Sequence, residues 1–178
     1  MSLSYAILAI LVDKSCSGYD LAKQFEGSVG YFWSASHQQI YRELAKLEDK
    51  AWIEAELIAQ DGRPNKKLFT LTALGQQKMV DWIGQPSKIT HHKEEMLVKL
   101  FAGHLVEPDI LIKELQRYQN QHEQQLVTYQ KIEQDYFSEP EQLSFAAKCQ
   151  YLTLWQGIRY ELDVIGWCGD AIALLMQP

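Results

Sequence analysis

The sequence predicts a mainly α-helical protein with one small β-hairpin, made of an N-terminal module and a helical C-terminal module. Three observations carry this reading. An amphipathic stretch over 36–50 is followed by two β-rich runs with strong turn chemistry between them. From about Lys93 onward the pattern is helical almost without interruption. Between the two regions, Gly84-Gln85-Pro86-Ser87 has the composition of a linker. The expected boundaries are therefore 1–84 for the first domain, 85–92 for the linker and 93–178 for the second domain.

Residues 3–12 read as a short, almost wholly apolar helix. Asp13-Lys14-Ser15-Cys16-Ser17-Gly18 reads as a turn, with Ser17 placed to cap a second helix from Tyr19 to about Glu26. The expected apolar face of that helix holds Tyr19, Ala22 and Phe25. Gly27-Ser28-Val29-Gly30 breaks the chain. In the stretch from Ser36 to Lys50, Ile40, Leu44 and Leu47 recur at the steps that make one helical face. Gln38, Gln39, Arg42, Glu43, Lys46 and Glu48 occupy the other side. Trp52 to Ile58 is rich in strand formers, Asp61-Gly62-Arg63-Pro64-Asn65 is a turn, and Lys67 to Leu71 is the returning strand. Thr72 or Thr70 then introduces a helix from about Leu74 to Ile83.

In the second half, a helical segment from about Lys93 to Ala102 precedes a long helix that starts near Pro108. Leu111, Leu115, Tyr118, His122, Tyr129, Ile132 and Tyr136 follow steps of four and three, with polar Gln125 interrupting them. This is a heptad-like seam that one small domain rarely buries alone. Ser138-Glu139-Pro140 ends it. The last helix, from about Leu143 to beyond Trp167, is apolar on several faces through Leu152, Leu154, Trp155, Ile158, Leu162, Val164, Ile165 and Trp167. Burial of so many faces calls for more than one partner, and homodimerisation through these helices supplies it.

The composition, 47% hydrophobic and 11% aromatic, suits a packed core and excludes extended disorder. No apolar run is long enough for a membrane span. Three widely spaced cysteines, Cys16, Cys149 and Cys168, form neither a disulfide framework nor a metal motif, so a reducing cytoplasm is expected. Cys149 and Cys168 read as small buried hydrophobes. His91-His92 with Glu94 and Glu95 lacks ligand spacing and reads as a solvated cluster rather than a metal site. Without a phosphate-cradling glycine loop, a nucleophile motif or a ligand set, no enzyme activity, cofactor or metal is expected.

The net charge is -6, but it is unevenly spread. Residues 1–84 hold nine Lys/Arg against ten Asp/Glu, whereas 85–178 hold eight against thirteen. A polyanion would be repelled by the second half and tolerated by a local cationic surface on the first. Three helices followed by a hairpin give the order of a winged helix-turn-helix. The helix over 36–50 has one face to anchor and another able to meet base edges in the major groove. At the hairpin tip, Arg63, Asn65, Lys66 and Lys67 can reach phosphates.

Ser36-His37-Gln38-Gln39-Ile40-Tyr41-Arg42-Glu43-Leu44-Ala45-Lys46-Leu47-Glu48 resembles the recognition helix of the PadR family of transcriptional regulators. Ser17-Gly18-Tyr19-Asp20-Leu21 resembles the start of that family's second helix. The stretch from Gly62 to Gly75, closing on Leu71-Thr72-Ala73-Leu74-Gly75, is similar to its wing. One departure is Ala51-Trp52-Ile53, where the family usually has glycine before the strand. In the second half, Glu94 to Gly103, Leu154 to Glu161 and Ile165-Gly166-Trp167 resemble the C-terminal domain of AphA-like virulence activators.

The resemblance implies a homodimeric, sequence-specific regulator on a palindromic operator of double-stranded DNA. By position it makes Ser36, Gln38, Gln39 and Arg42 candidate base readers, and Tyr19, Tyr41, Lys46, Arg63, Asn65, Lys66 and Lys67 candidate backbone contacts. Glutamine suits adenine and arginine suits guanine by donor and acceptor geometry. Tyr41 also reads as a core tyrosine with its hydroxyl at the rim, and Tyr19 as a residue that packs at the helix start. Tyr151, Trp155 and Trp167 are candidates for a pocket that takes a small aromatic effector, with ordinary core aromatics as the plainer reading. A partner regulator at the promoter is the alternative to an effector. The competing function is a helical protein–protein adaptor whose winged domain binds no DNA.

Overall fold

A computed structural model describes residues 3–25, 33–59, 65–87 and 94–177 of the chain. It divides into two compact units, Met1–Ile89 and Thr90–Pro178. The described elements are mainly helical, with one small antiparallel sheet.

In the first unit, α1 (Leu3–Leu11), α2 (Gly18–Phe25) and α3 (His37–Asp49) pack around one core. Ile7, Leu8, Leu21, Ile40, Leu44 and Leu47 are fully buried there, joined by Ile53 and Phe69 from the sheet. The helical spacing of Ile40, Leu44 and Leu47 makes this possible, because steps of four and three keep all three on one side of α3. The sheet has the order β1-β3-β2, from β1 (Cys16–Ser17), β2 (Ile53–Ile58) and β3 (Lys66–Leu71). In the hairpin, Ile53 lies opposite Leu71 and Ile58 opposite Lys66.

Two sequence expectations change. The tract read as a turn supplies a third strand, because Cys16 and Ser17 pair with Phe69 and Leu68. Two residues are too short a run to show alternation, so the pattern could not announce it. Tyr19 is 66% exposed and is not on the apolar face of α2. That helix begins at Gly18, and its buried residues are Gly18, Leu21, Ala22 and Phe25, which turns Tyr19 outward.

Beyond the hairpin, Thr72 caps α4 (Ala73–Ile83), its side chain accepting from the Gly75 amide at 3.0 Å. The Thr72 hydroxyl lies 2.7 Å from the Ala51 carbonyl oxygen and 3.0 Å from that of Trp52. Gly75 sits so close to this peptide that a Cβ would fall 2.0 Å from the Trp52 oxygen. Tyr5 of α1 stacks on Trp82 of α4 with ring centroids 4.5 Å apart. One short motif thus closes α4 onto the connection between α3 and β2.

That connection is a Schellman turn. The Ala51 amide donates to Glu48 O at 2.8 Å and the Trp52 amide to Leu47 O at 3.0 Å. Ala51 itself has φ 55, left-handed backbone at the position where the sequence departs from glycine.

The second unit holds α5 (Glu95–Phe101), α6 (Pro108–Tyr136) and α7 (Phe145–Leu175), with short 3-10 turns at Gly103–Leu105 and Pro140–Gln142. Pro108 sits at the start of α6, where its missing N–H has no partner to lose. Ser144 caps α7, accepting from the Ala147 amide at 3.2 Å. The two long helices run antiparallel along the heptad-like seam, of which Leu115 and Tyr129 are buried, while Tyr136 at its end is exposed. Met96, Leu115 and Cys168 form the core, with Leu100, Tyr118, Val164 and Trp167 packed on it. Cys149, expected inside, is exposed near the start of α7. No described helix is long and apolar enough to cross a membrane.

Candidate nucleic-acid interface

The exposed residues of α3 are Gln38, Tyr41, Arg42, Ala45, Lys46 and Asp49 along its length, with His37 and Gln39 at the first turn. The first six follow steps of three, one, three, one and three, which is one continuous helical stripe opposite Ile40, Leu44 and Leu47. Arg42 lies at its middle and makes no hydrogen bond or ion pair with another described residue.

Ser36 and Gln39 have a second duty. The Ser36 hydroxyl accepts from the Gln39 amide at 3.3 Å, and the Gln39 side-chain oxygen accepts from the Ser36 amide at 2.8 Å. This is a capping box, which satisfies donors that the first turn would otherwise leave open. Gln38 and Arg42 carry no such structural task.

Each described lysine of the predicted interface has a carboxylate beside it. Lys46 pairs with Glu43 at 2.9 Å, Lys66 with Asp20 at 2.9 Å and Lys67 with Glu48 at 2.7 Å. Lys66, with Ser17 adding hydrogen bonds, holds the Asp20 carboxyl below the ordinary carboxylate range. Partial burial pushes Glu43 the other way, but hydrogen bonds from Ser4 and Lys46 outweigh it and the net direction is down. Tyr19 and Tyr41 are both exposed beside this surface, and the Tyr41 ring covers Gly18. Asn65 is exposed just before β3. Arg63 lies outside the described residues.

The effector candidates do not converge within one chain. Tyr151 donates to Glu133 at 2.9 Å and its ring lies 5.6 Å from that of Phe137. Trp155 is exposed, with the Arg159 guanidinium 5.2 Å from its ring. Trp167 packs on the core around Met96 and Leu115. Sixteen residues of α7 separate Tyr151 from Trp167, about 24 Å at the rise of an α-helix.

The densest polar group in the second unit was not singled out by sequence. Glu94 accepts from the hydroxyls of Tyr118 at 2.8 Å and Tyr160 at 2.5 Å. His122 contacts the buried carboxylate of Glu161, and its ring meets that of Tyr118 edge-on at 4.4 Å. Burial, then the hydrogen bonds to Glu94, pushes both phenols well above their usual range. The available signal was a histidine inside a heptad seam and a glutamate inside an apolar helix. Among the described residues no group of three or more His, Cys, Asp or Glu is placed to hold a metal; His91 and His92 lie outside them.

Comparison with known proteins places this geometry. The PadR-like family of transcriptional regulators matches residues 7–81, and the C-terminal domain of virulence activator alpha matches residues 92–176. A probable transcriptional regulator of Mycobacterium tuberculosis is 34% identical, covering 99% of each chain. The chain belongs to the PadR family. A second member, the negative transcriptional regulator PadR of Bacillus subtilis, is 33% identical over 97% of both chains. Its crystal structure in complex with operator DNA superposes with a TM-score of 0.87, 29% identity and 97% coverage of each chain. The same protein in complex with p-coumaric acid gives a TM-score of 0.81 at 28% identity, covering 98% of this chain and 99% of that one. The Vibrio cholerae virulence activator AphA gives 0.78 at 29% identity, covering 98% of each chain.

In this PadR-family chain the Leu-Thr-x-x-Gly motif therefore has a physical content. Thr72 and Gly75 seat α4 against the peptides that follow α3. What sequence reasoning missed is the acidic half of the interface, Asp20 and Glu48. A carboxylate in a surface helix gives no sign of its partner when that partner lies on a strand many residues away.

Proposed function

We propose that this PadR-family chain is a sequence-specific, cytoplasmic DNA-binding regulator that acts as a homodimer on a palindromic operator. The observation that carries the reading is the exposed stripe on α3, with Gln38 at its start and Arg42 at its middle, both free of ties to other described side chains. In this reading α3 lies in the major groove, where Gln38 and Arg42 read bases and Ser36 and Gln39 contribute from the helix start. Tyr19, Tyr41, Lys46, Arg63, Asn65, Lys66 and Lys67 contact the backbone. The operator complex of the Bacillus subtilis relative supports a DNA partner.

The domains are 1–84 and 93–178, joined by 85–92. Dimerisation uses α7, on which Leu152, Trp155, Leu162 and Leu174 are exposed in the single chain. A small aromatic effector near Tyr151, Trp155 and Trp167 is supported by the p-coumaric acid complex of that relative. Because the three are spread along α7, a pocket using all of them would need a second chain.

The test is retention of the duplex upstream of the protein's own coding sequence against a random duplex, at several salt concentrations, with the mass in solution measured alongside. The regulator reading expects a dimer that prefers the upstream fragment, loses affinity steeply with salt, and loses the preference on Arg42→Ala. A dimer that binds neither duplex at low salt would point to the helical adaptor instead. Aromatic acids should quench tryptophan fluorescence if the effector reading is right.

A further inference from the structure

The lysines at the loop end of the hairpin are not free cations. Lys66 and Lys67 are adjacent on β3, so their side chains leave opposite faces of the strand. One runs to Asp20 on α2, the other to Glu48 on α3. All four side chains remain partly exposed, within reach of solvent and of a passing phosphate. Among the described residues Arg42 has no such partner.

Resting on the DNA-binding reading above, we infer that Asp20 and Glu48 are specificity determinants of this surface. They hold Lys66 and Lys67 against sequence-independent phosphate binding while leaving base readout by α3 untouched. The physical reason is the source of non-specific affinity. Binding to any duplex comes from lysine and arginine neutralising phosphates and releasing counterions. A lysine already beside a carboxylate offers less to a phosphate, because the phosphate must displace the carboxylate or sit next to a like charge. A base contact by Gln38 or Arg42 bears no such cost. On the operator, base contacts fix the register and hold set phosphates against Lys66 and Lys67, which displace the carboxylates at small cost. A random duplex in no fixed register leaves the lysines paired. The acids therefore lower affinity for random DNA more, and the ratio between the two rises.

The experiment compares the full-length protein with Asp20→Asn, Glu48→Gln and the double variant on upstream and random duplexes across a salt series. Glu123→Gln, an exposed carboxylate on α6, controls for overall charge. Each interface variant is expected to bind random duplex more tightly by a factor of roughly three to ten, with a smaller gain on the upstream fragment. The slope of log affinity against log salt should steepen by up to about one for each lysine released. Adding Lys67→Gln to Glu48→Gln should cancel that variant's gain. Melting curves establish that each variant is folded. If the native protein prefers its fragment but the variants bind random duplex no better than Glu123→Gln, this inference is wrong and the regulator reading stands. Should the native protein bind no duplex at all, both fall together.

Discussion

The ring of Tyr41 on α3 lies against the backbone of Gly18 at the start of α2, so that a Cβ added to Gly18 would meet Tyr41 Cε1 at 2.5 Å. The contact fixes the tyrosine's direction on the candidate interface through a glycine that is not itself among the proposed DNA contacts. Gly18→Ala should displace the ring and cost roughly 1–3 kcal/mol, measured by urea denaturation. In a Tyr41→Ala background the same change should cost much less, a double-mutant cycle with a clear sign. Equal costs in both backgrounds would mean that the clash is with the frame and not with Tyr41.

At Ala51 the chain adopts φ 55 to complete the Schellman turn after α3. A side chain in left-handed backbone is penalised, while glycine adopts it freely and gives back part of the gain through its looser unfolded chain. Ala51→Gly should therefore stabilise the first unit by about 0.5–1 kcal/mol. A later denaturation midpoint with unchanged slope is the expected record. A destabilised variant would show that the Ala51 methyl makes contacts worth more than the strain.

His122 and Glu161 form a buried polar contact in the second unit, their side chains 15% and 6% exposed. His122→Ala leaves a carboxylate buried without its partner and should cost on the order of 3 kcal/mol or more. Replacing both by leucine should recover most of that loss. Thermal melts of the three proteins decide it, and a neutral His122→Ala would mean that Glu161 finds another partner or water.

Tyr118 and Tyr160 hold their protons more tightly in the fold than in the unfolded chain, first through burial and then through Glu94. Groups raised in this way contribute stability that is complete below their unfolded value, near pH 10, and is lost as pH rises through the folded one. Of the nine tyrosines, these two should remain protonated in an absorbance titration until the alkaline unfolding transition. Glu94→Gln should bring their ionisation earlier. Simple titration of all nine together below that transition would contradict the prediction.

How much could be read beforehand depended on the range of the interaction. The helices at 36–50 and from Pro108 onward were legible because their apolar spacing repeats over several turns. The hairpin was legible through its turn chemistry. The two-residue strand at Cys16–Ser17 was not, since its pairing is with Phe69 and Leu68, far along the chain. For the candidate interface, spacing gave the outward stripe of α3, yet not that Ser36 and Gln39 also close a capping box. Nor did it give the carboxylate partner of each described lysine. Those depend on three-dimensional placement of side chains from α2, α3 and β3. The Glu94, His122 and Glu161 group failed to show for the same reason, as its members come from three separate stretches.

The two peptides that follow Ala51 and Trp52, both gripped by Thr72 and the second crowded by Gly75, have an evolutionary consequence. They separate what may vary from what must not. In the proposed reading, substitutions at Gln38 and Arg42 alter the letters a DNA site would have to spell, without touching the clamp. A change of length between Lys50 and Ile53 would instead tilt every one of those side chains at once. If α3 reads DNA as proposed, a descendant of this chain reaches a new address by point substitution on the stripe and keeps its aim only by leaving that joint unaltered.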